Sequence, residues 1–500
     1  MSRLYRTLRV VLRRAVGIYF FDIQATGQDH IPEKGPLIFA ANHPNSIMDT
    51  VLLGTQTDRQ IQYMARSGLF KNPFVKALFH QVGVIPIFRS EDGGGGTQKN
   101  MDSFSRAFET LEEGGCIGIF PEGKNSADRK IGKLKTGTAR IALATEDRND
   151  FSLGVTIVPV GLNFEDRTRF LSSVLIRFGE PIDVREYAHT YGEDERQAVL
   201  GLTERIASDL RDLATHIEDE RNRQLVIDVH DIYGHELTRE FIGDIDAALD
   251  LRPLTHKLFD RARSADRTRT DLEDRFEIEQ RIADAVDYYQ RVDPGLVARV
   301  RMDIRRYRDH LNQVRLRHEV LEEGVELTGQ RWKAVKMTAY AILLGPLAIF
   351  GFINNFLPYL MVRQAVRKQP DEARIAFAGF ATGLVAFPLF YFLLGWGLWK
   401  LTDHSIPAVV LYLSSLPVAG FFFLHWWRQI LAYRDQILSR TLFRTHENLI
   451  ENLEKERQDL IDTFERAKIR YMEAQLQGSQ QEERDASIVD SSQPTALTDA

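Results

Sequence analysis

Three long stretches in the last third of this 500-residue chain contain no Asp, Glu, Lys or Arg. Each is longer than the ~20 residues that a helix needs to cross the hydrocarbon core of a bilayer. Tryptophans lie near the ends of the second and third stretches, as side chains do that favour the membrane interface. The sequence therefore predicts an integral membrane protein, with its soluble parts outside these stretches. The stretches are residues 337–362, 375–399 and 405–427.

Residues 337–362 contain several residues that interrupt helices. These are Gly345-Pro346, Asn354-Asn355 and Pro358. A straight helix through them would leave backbone groups without partners, which is costly in lipid. The pattern favours a segment that turns inside the membrane.

Basic residues on both sides of residues 337–362 favour the same interpretation. Lys and Arg near membrane segments favour the cytoplasmic side. Three straight spans would place the cations of residues 331–336 opposite those of residues 363–374. We therefore expect residues 337–362 to re-enter the membrane from the cytoplasmic side, with both chain termini cytoplasmic. The expected true spans are residues 375–399 and 405–427.

The other segments differ in composition. Residues 1–20 place five arginines among leucines and valines at helical spacing, which suits a helix in the membrane interface and equally a solvated amphipathic helix. Residues 191–335 and 429–475 are densely charged and predict helices. Residues 476–500 are polar and are expected to be disordered. The C-terminal helix is expected to pack on residues 191–335 through Leu449, Leu453, Leu460 and Phe464.

Residues 21–190 alternate short apolar runs with helical stretches. This alternation predicts an α/β domain whose mixed, largely parallel sheet is flanked by helices. One helix is marked by apolar residues at helical spacing from Met101 to Leu111 and is stopped by Gly114-Gly115. The predicted strands are Leu37–Ala40, Ile61–Ala65, Val84–Phe88, Cys116–Phe120, Ile157–Val160 and Val174–Phe178.

The segment Asn42-His43-Pro44-Asn45-Ser46-Ile47-Met48-Asp49 directly follows the first predicted strand. Because Pro44 cannot continue a strand, His43 is expected at the strand's carboxyl end, where open α/β sheets place ligands. An imidazole can accept a proton near neutral pH, and a carboxylate can orient it. His43 and Asp49 are therefore candidates for a base and its orienting acid. The plainer alternative is a turn residue and a helix cap.

Three further blocks lie at the ends of predicted strands: Gly83–Arg89 (GVIPIFR), Phe120–Ser126 (FPEGKNS) and Val158–Gly161 (VPVG). In this order, the four blocks resemble the glycerolipid acyltransferase superfamily, which includes glycerol-3-phosphate and lysophosphatidate acyltransferases. The patterns of that superfamily are N-H-x4-D, F-P-E-G-x-x-S and V-P-V/I. The resemblance covers about residues 18–185.

Two positions depart from the pattern of the superfamily. Asp49 lies one residue later than the usual acid, whose position Met48 takes. This spacing is closer to a branch with H-P-N-x-x-x-D. Lys124-Asn125 stand where the superfamily usually has Thr-Arg or a similar pair.

The resemblance implies a catalytic pair and a phosphate ligand. His43 would be the general base for the acceptor hydroxyl, and Asp49 would orient it. Arg89 would bind the phosphate of the acceptor, since a guanidinium can do so through two hydrogen bonds.

The resemblance also implies an acceptor pocket. Glu122 and Gly123 would shape it, with Glu122 either bonding a glycerol hydroxyl or holding the loop. Lys124 and Ser126 are candidate phosphate donors. Lys135 is another, and its alternative is a solvated lysine in the first turn of a helix.

The reaction implied is acyl transfer from acyl-CoA or acyl-carrier protein, as a co-substrate, to glycerol 3-phosphate or lysophosphatidate. No cofactor or metal is expected, and the single cysteine, Cys116, lies in an apolar run typical of a buried residue. Membrane lipid is an expected partner. Nucleic acid is not, because the net charge is −6. The alternatives are a transacylase that takes its acyl group from phospholipid and an inactive membrane scaffold. The oligomeric state is open.

Overall fold

The structure, a computed structural model, describes residues 3–71, 73–87, 96–125, 129–248, 260–313, 330–445 and 447–491. The chain divides into two units. The first contains Met1–His216, His256–Phe276 and Ile342–Trp426. The second contains Ile217–Thr255, Glu277–Ala341 and Trp427–Ala500.

An eight-stranded sheet forms the centre of the first unit. Its strands are β1 Asp22–Thr26, β2 Leu37–Ala41, β3 Ile61–Arg66, β4 Ile85–Ile87, β5 Cys116–Ile119, β6 Thr156–Phe164, β7 Ser173–Phe178 and β8 Ile182–Asp183. The order in the sheet is β1-β7-β6-β2-β5-β3-β4, and β8 pairs with β6. Only the pairs β6–β7 and β6–β8 are antiparallel among the described strands. The predicted mixed, largely parallel sheet is confirmed.

All six predicted strands are present, and two further strands were not predicted. Strand β1 has the polar sequence DIQAT and only one buried residue. Strand β8 has only two residues. Neither strand shows an apolar run. Both form through backbone hydrogen bonds to a neighbouring strand, β1 to β7 and β8 to β6.

Helices make up most of the remaining described residues. They are α1 Arg3–Tyr19, α2 Ile47–Gln56, α3 Pro73–Val82, α4 Gly96–Glu112, α5 Gly137–Asp147, α6 Ala188–Glu193, α7 Glu195–Leu213, α8 Arg223–Ala248, α9 Asp260–Val292, α10 Pro294–Gln313, α11 Gln330–Arg367, α12 Glu372–Leu401, α13 Ile406–Thr445 and α14 Glu447–Ser491. The predicted helix through Met101 to Leu111 is confirmed as α4, and the chain after it turns at Gly114, whose φ is +71°.

Helices cover both faces of the sheet, so its central strand is buried on both sides. Leu37 and Phe39 of β2 point into a core with residues of α1 and α2. Ile38 and Ala40 point into a second core with residues of α4, α5 and α7. This explains why β2 reads as a continuous apolar run rather than an alternating one.

Helix α7 places the end of the α/β domain near residue 216, and the expected boundary at residue 190 is wrong. Leu202, Ile206 and Leu210 of α7 are buried in the second core of the sheet. These residues recur at helical spacing among many charges, so the helix was assigned to the charged region that follows.

Helix α1 confirms the helix expected in residues 1–20, and one side of it packs on the sheet. Val16, Tyr19 and Phe20 are buried in the first core. Val10 and Ile18 are 59% and 54% exposed. These exposed apolar residues are compatible with contact between α1 and the membrane interface, and that location stays a prediction.

Three helices of the described residues are long enough and apolar enough to cross a membrane, as expected of an integral membrane protein. The turn expected inside residues 337–362 is absent from α11, whereas the expectation that these residues enter and leave on one side of the membrane stays a prediction. Helix α11 runs through both prolines without a break, and its 38 residues span about 57 Å. The side chains of Asn354 and Asn355 donate to carbonyls four residues earlier, so they fit the helix that they were expected to break.

A polar cluster joins the three apolar helices. Tyr391 of α12 donates to Asn355 Oδ1 at 2.6 Å, and Tyr412 of α13 donates to Asn354 Oδ1 at 2.6 Å. Asn355 Nδ2 also donates to the Leu416 carbonyl at 3.2 Å. In lipid, interhelical hydrogen bonds and small residues hold helices together. A side-chain carbon on Gly351 would lie 2.0 Å from the Ala419 carbonyl oxygen, so α11 and α13 meet where no side chain fits.

The second unit packs helices from distant parts of the sequence. Leu453, Leu460 and Phe464 of α14 share a core with Ile304 and Tyr307 of α10. The packing expected from the leucine spacing is therefore confirmed.

The expected disorder of residues 476–500 is wrong for its first part, because α14 continues to Ser491. Glu, Gln, Arg and Ala are good helix formers, so the stretch extends a helix that packing has already nucleated. Residues 492–500 lie outside the described residues.

We predict that Asn355→Leu destabilises the membrane bundle by about 1 kcal/mol, because it removes hydrogen bonds to α12 and α13. The measurement is unfolding of the purified protein in a detergent titration. Ser414→Ala is the control, since the Ser414 hydroxyl bonds only within α13. Equal effects of the two substitutions would contradict an interhelical role for Asn355.

Candidate active site

The candidate site lies at the carboxyl end of β2, between β5 and β6. Asn42 fixes the chain as it leaves the strand. Its Nδ2 donates to the Leu162 carbonyl at 3.2 Å, and its Oδ1 accepts from the Leu162 N–H at 2.7 Å. This two-way bond to β6 sets the start of the loop that presents His43.

His43 and Asp49 are in direct contact. The distance from His43 Nδ1 to Asp49 Oδ2 is 2.9 Å. The Asp49 side chain is fully buried in the first turn of α2, whereas that of His43 is 18% exposed. His43 Nε2 makes no hydrogen bond to any residue that the structure describes. The pair therefore has the geometry of a base with an orienting acid, with one ring nitrogen available to a substrate.

Ser46 accommodates the extra residue between His43 and Asp49. Its backbone adopts φ 51° and ψ −129°, a region that serine rarely occupies. The turn lets Asp49 reach the imidazole, and Met48 is instead fully buried in the first core. The departure from the spacing of the superfamily thus leaves the pair intact.

Asn45 holds the other side of this turn. Its backbone N–H donates to Asp49 Oδ2 at 2.7 Å, so one carboxylate oxygen accepts from both His43 and Asn45. The Asn45 side chain donates to the Arg167 carbonyl at 3.1 Å. Asp49 is therefore fixed by its neighbours on both sides.

Aromatic rings form one wall of the site. The His43 ring stacks on Phe120, with centroids 4.0 Å apart and planes 16° apart. The ring of Tyr63 in β3 is also parallel to that of Phe120, with centroids 6.3 Å apart. These rings restrict the imidazole to one plane.

Glu122 joins two loops of the site. Its Oε1 accepts from the His43 N–H and its Oε2 from the Gly132 N–H, both at 3.2 Å. The residue is 6% exposed. Of the two roles considered for Glu122, this geometry supports holding the loop.

Lys135 reaches the same loop. A side-chain carbon on Gly123, whose φ is +69°, would lie 2.8 Å from Lys135 Nζ, so the amine lies across this glycine. Lys135 Nζ forms no ion pair with any part of the chain that the structure describes. Lys124 is exposed beside it. Arg89 and Ser126 lie outside the described residues.

Burial dominates the electrostatics of the acidic groups. Burial raises the pKa of Asp49, and hydrogen bonds from His43 and Asn45 and the charge of Arg167 oppose this effect. Burial likewise raises the pKa of Glu122. In both carboxyls the hydrogen bonds therefore oppose the effect of burial on the pKa.

Cys116 has no role in this site as a nucleophile. It is buried, as predicted, and burial raises the pKa of its thiol to about 12. A thiol in that state is not a nucleophile at neutral pH. The described residues contain no group of three or more His, Cys, Asp or Glu that would hold a metal ion.

Sequence reasoning missed the residues that support the pair. Asn42 and Asn45 were read only as parts of a motif, and Tyr63 only as part of a strand. Arg167 lies between strands with no pattern to mark it. A buried asparagine in a loop next to a candidate base is a usable signal, because buried polar groups need partners.

The described geometry agrees with the comparisons with known proteins. Residues 22–163, within the first unit, match the family model described as Acyltransferase. Over 320 residues the chain is 23% identical to glycerol-3-phosphate O-acyltransferase 1 of Saccharomyces cerevisiae, covering 46% of this chain and 42% of the relative.

Two further proteins are similar to this domain. A chloroplastic 1-acyl-sn-glycerol-3-phosphate acyltransferase of Arabidopsis thaliana is 27% identical over 150 residues, covering 30% of this chain and 38% of the relative. The crystal structure of a 1-acyl-sn-glycerophosphate acyltransferase from Thermotoga maritima is 22% identical, with a TM-score of 0.31, covering 41% of this chain and 79% of that chain. The chain spans less than half the length of the two curated relatives.

We predict that Glu122→Gln lowers the free energy of unfolding by about 1–3 kcal/mol without any substrate present, because an amide leaves one backbone N–H facing a donor. Thermal unfolding of the purified protein measures this. Glu113→Gln, at an exposed glutamate, is the control. Unchanged stability with a raised KM for the acceptor would instead assign Glu122 to a glycerol hydroxyl.

Proposed function

We propose that this chain transfers a fatty acyl group from an acyl thioester to a hydroxyl of glycerol 3-phosphate or lysophosphatidate. The observation that supports this most is the His43–Asp49 pair. It lies at the end of the central strand of an acyltransferase domain, with His43 Nε2 open to a substrate. The names of the two curated relatives, which act on these two acceptors, support the substrate class.

In the proposed reaction, His43 Nε2 takes the proton of the acceptor hydroxyl as its oxygen attacks the thioester carbonyl carbon. Asp49 stabilises the imidazolium through the hydrogen bond to Nδ1. The tetrahedral intermediate then releases the thiolate as the carbon–sulfur bond breaks. The imidazolium returns its proton to the thiolate, so the base is regenerated without an acyl-enzyme.

The acceptor phosphate would meet cations at the mouth of this site. The position of the Lys135 amine, across Gly123 in the loop that also holds Glu122, supports this role for Lys135. Arg89, Lys124 and Ser126 are further proposed ligands from the motifs. Acyl-CoA or acyl-carrier protein would supply the thioester.

We predict that His43→Ala lowers acyl transfer about 10²–10⁴-fold, because it removes the general base. The assay gives defined acyl-CoA and acyl-carrier donors and each acceptor to the protein in detergent micelles. His30→Ala is the matched control, since the His30 ring contacts the Phe178 carbonyl and Glu180 rather than Asp49.

Retention of more than about a tenth of wild-type activity in the His43→Ala protein would refute the base assignment. Activity that needs phospholipid but no added thioester would indicate a transacylase. A wild-type protein that is inactive with every donor and acceptor would favour the scaffold.

We also propose that the acyltransferase domain faces the cytoplasm. Within the first unit, Arg167 pairs with Glu372 at 2.7 Å, at the start of α12. Ala376 and Phe380 of α12 lie in the first core of the domain. The domain is therefore on the same side of the membrane as the segment before α12, whose basic residues favour the cytoplasm. Arg363, Arg367 and Lys368 precede α12, and Arg374 lies in its first turn.

We predict that a cysteine at position 369 is labelled by a membrane-impermeant thiol reagent only from the cytoplasmic side, whereas one at position 403 is labelled only from the opposite side. Sealed cells and inverted vesicles provide the two sides. The natural chain is the control, because Cys116 is buried and should not react. Labelling of position 369 from outside would overturn this orientation.

A further inference from the structure

The first turn of α12 contacts the acyltransferase domain through charged side chains. Arg167 Nη2 lies 2.7 Å from Glu372 Oε2. The Arg167 side chain is only 8% exposed, whereas that of Glu372 is 61% exposed. A second contact joins Asn125 Nδ2 to Asp371 Oδ2 at 3.4 Å. The membrane helix thus begins against the loops that build the candidate site.

Arg167 also reaches the catalytic pair by a short chain of hydrogen bonds. Its backbone carbonyl accepts from the Asn45 side chain at 3.1 Å. The Asn45 N–H donates to Asp49 Oδ2 at 2.7 Å, and the same oxygen accepts from His43. Arg167, Asn45 and Asp49 are each at most 7% exposed. A displacement of Arg167 therefore moves the residue that fixes Asp49.

The charge of Arg167 acts on the same pair. The groups that interact with Asp49 electrostatically are His43, Arg167, Glu122 and Tyr63. Of these, Arg167 is the one with a permanent positive charge, and it lowers the pKa of Asp49. Glu372 in turn partly neutralises Arg167. The start of the membrane helix thereby supplies the counter-ion of the cation that acts on Asp49.

We propose that Arg167 is a positioning residue that couples the first turn of the membrane helix α12 to the orientation and charge of the His43–Asp49 pair. The coupling works through the Arg167–Glu372 ion pair on one side and through Asn45 on the other. The predicted effect of this coupling on activity rests on the proposed function. The contacts themselves act on His43 whatever the substrate.

The test of this coupling is whether substitutions of Arg167 and of Glu372 shift the pH midpoint of His43 protonation in opposite directions. The readout is the rate of His43 modification by diethyl pyrocarbonate as a function of pH, followed on the full chain in detergent by peptide mass spectrometry. Neutral imidazole reacts and imidazolium does not. The wild type is compared with Arg167→Gln, Arg167→Lys and Glu372→Gln.

Arg167→Gln removes a cation, so the midpoint of the reaction should rise by about half a pH unit. Glu372→Gln leaves Arg167 less neutralised, so its midpoint should fall, by less because Glu372 is largely exposed. Arg167→Lys keeps the charge and should stay near the wild type. Arg169→Gln is the matched control, since Arg169 is 58% exposed and pairs with Glu165. It should leave the midpoint unchanged.

Activity gives a second, separate readout. Arg167→Gln should lower kcat about tenfold and change the acceptor KM less than about twofold, because it disturbs the base rather than the acceptor pocket. Arg167→Lys should recover most of kcat. A wild type without acyl transfer would overturn the proposed function, while the modification midpoints would still decide the coupling.

The coupling is overturned if Arg167→Gln and Glu372→Gln move the midpoint in the same direction, or if neither moves it. It is also overturned if Arg169→Gln shifts it as much as Arg167→Gln does. Should Arg167→Gln fail to fold, Glu372→Gln decides alone, because its exposed side chain tolerates an amide. An unchanged midpoint in that protein counts against the proposal.

Discussion

The candidate site depends on one oxygen atom. Asp49 Oδ2 accepts hydrogen bonds from His43 Nδ1 at 2.9 Å and from the Asn45 N–H at 2.7 Å. A buried carboxylate without such partners would take up a proton, because burial disfavours its charge. The two bonds therefore oppose the effect of burial on the pKa of Asp49 and fix the imidazole in one orientation. The unusual backbone of Ser46 follows from the same requirement, since without it the carboxylate would not reach the ring.

The parallel arrangement of the central strands brings the remaining parts of the site to this oxygen. Strands β2 and β5 end side by side, so the loop after β5 delivers Phe120 to the face of the His43 ring. The same loop delivers Glu122 to the backbone of His43. Strand β6, on the other side of β2, receives Asn42. The loops are thus joined by bonds to backbone groups, which tolerate changes of side chain elsewhere in the loops.

The parts predicted from sequence are those with a repeating or motif-like signal. Apolar runs predicted the six strands, and the His43–Asp49 pair followed from its place after one of them. The backbone conformation of Ser46 and the bond from Asn45 to the Arg167 carbonyl could not be predicted. The first is a rare conformation, and the second joins residues more than a hundred positions apart. The turn expected inside residues 337–362 failed for a different reason. Prolines and asparagines were treated as breakers, although neighbouring helices satisfy them in an apolar bundle.

Docking on the first turn of α12 connects the chemistry with the membrane. Under the proposed function, a lipid acceptor would arrive in the plane of the bilayer, so the catalytic domain would need a fixed height and tilt above it. The Arg167–Glu372 pair and the packing of Phe380 in the first core provide that reference. Arg167 also accepts a hydrogen bond from Asn45, which in turn donates to Asp49. Only Asn45 therefore separates the Arg167–Glu372 ion pair from Asp49. Membrane attachment and the geometry of the base are therefore parts of one continuous set of interactions.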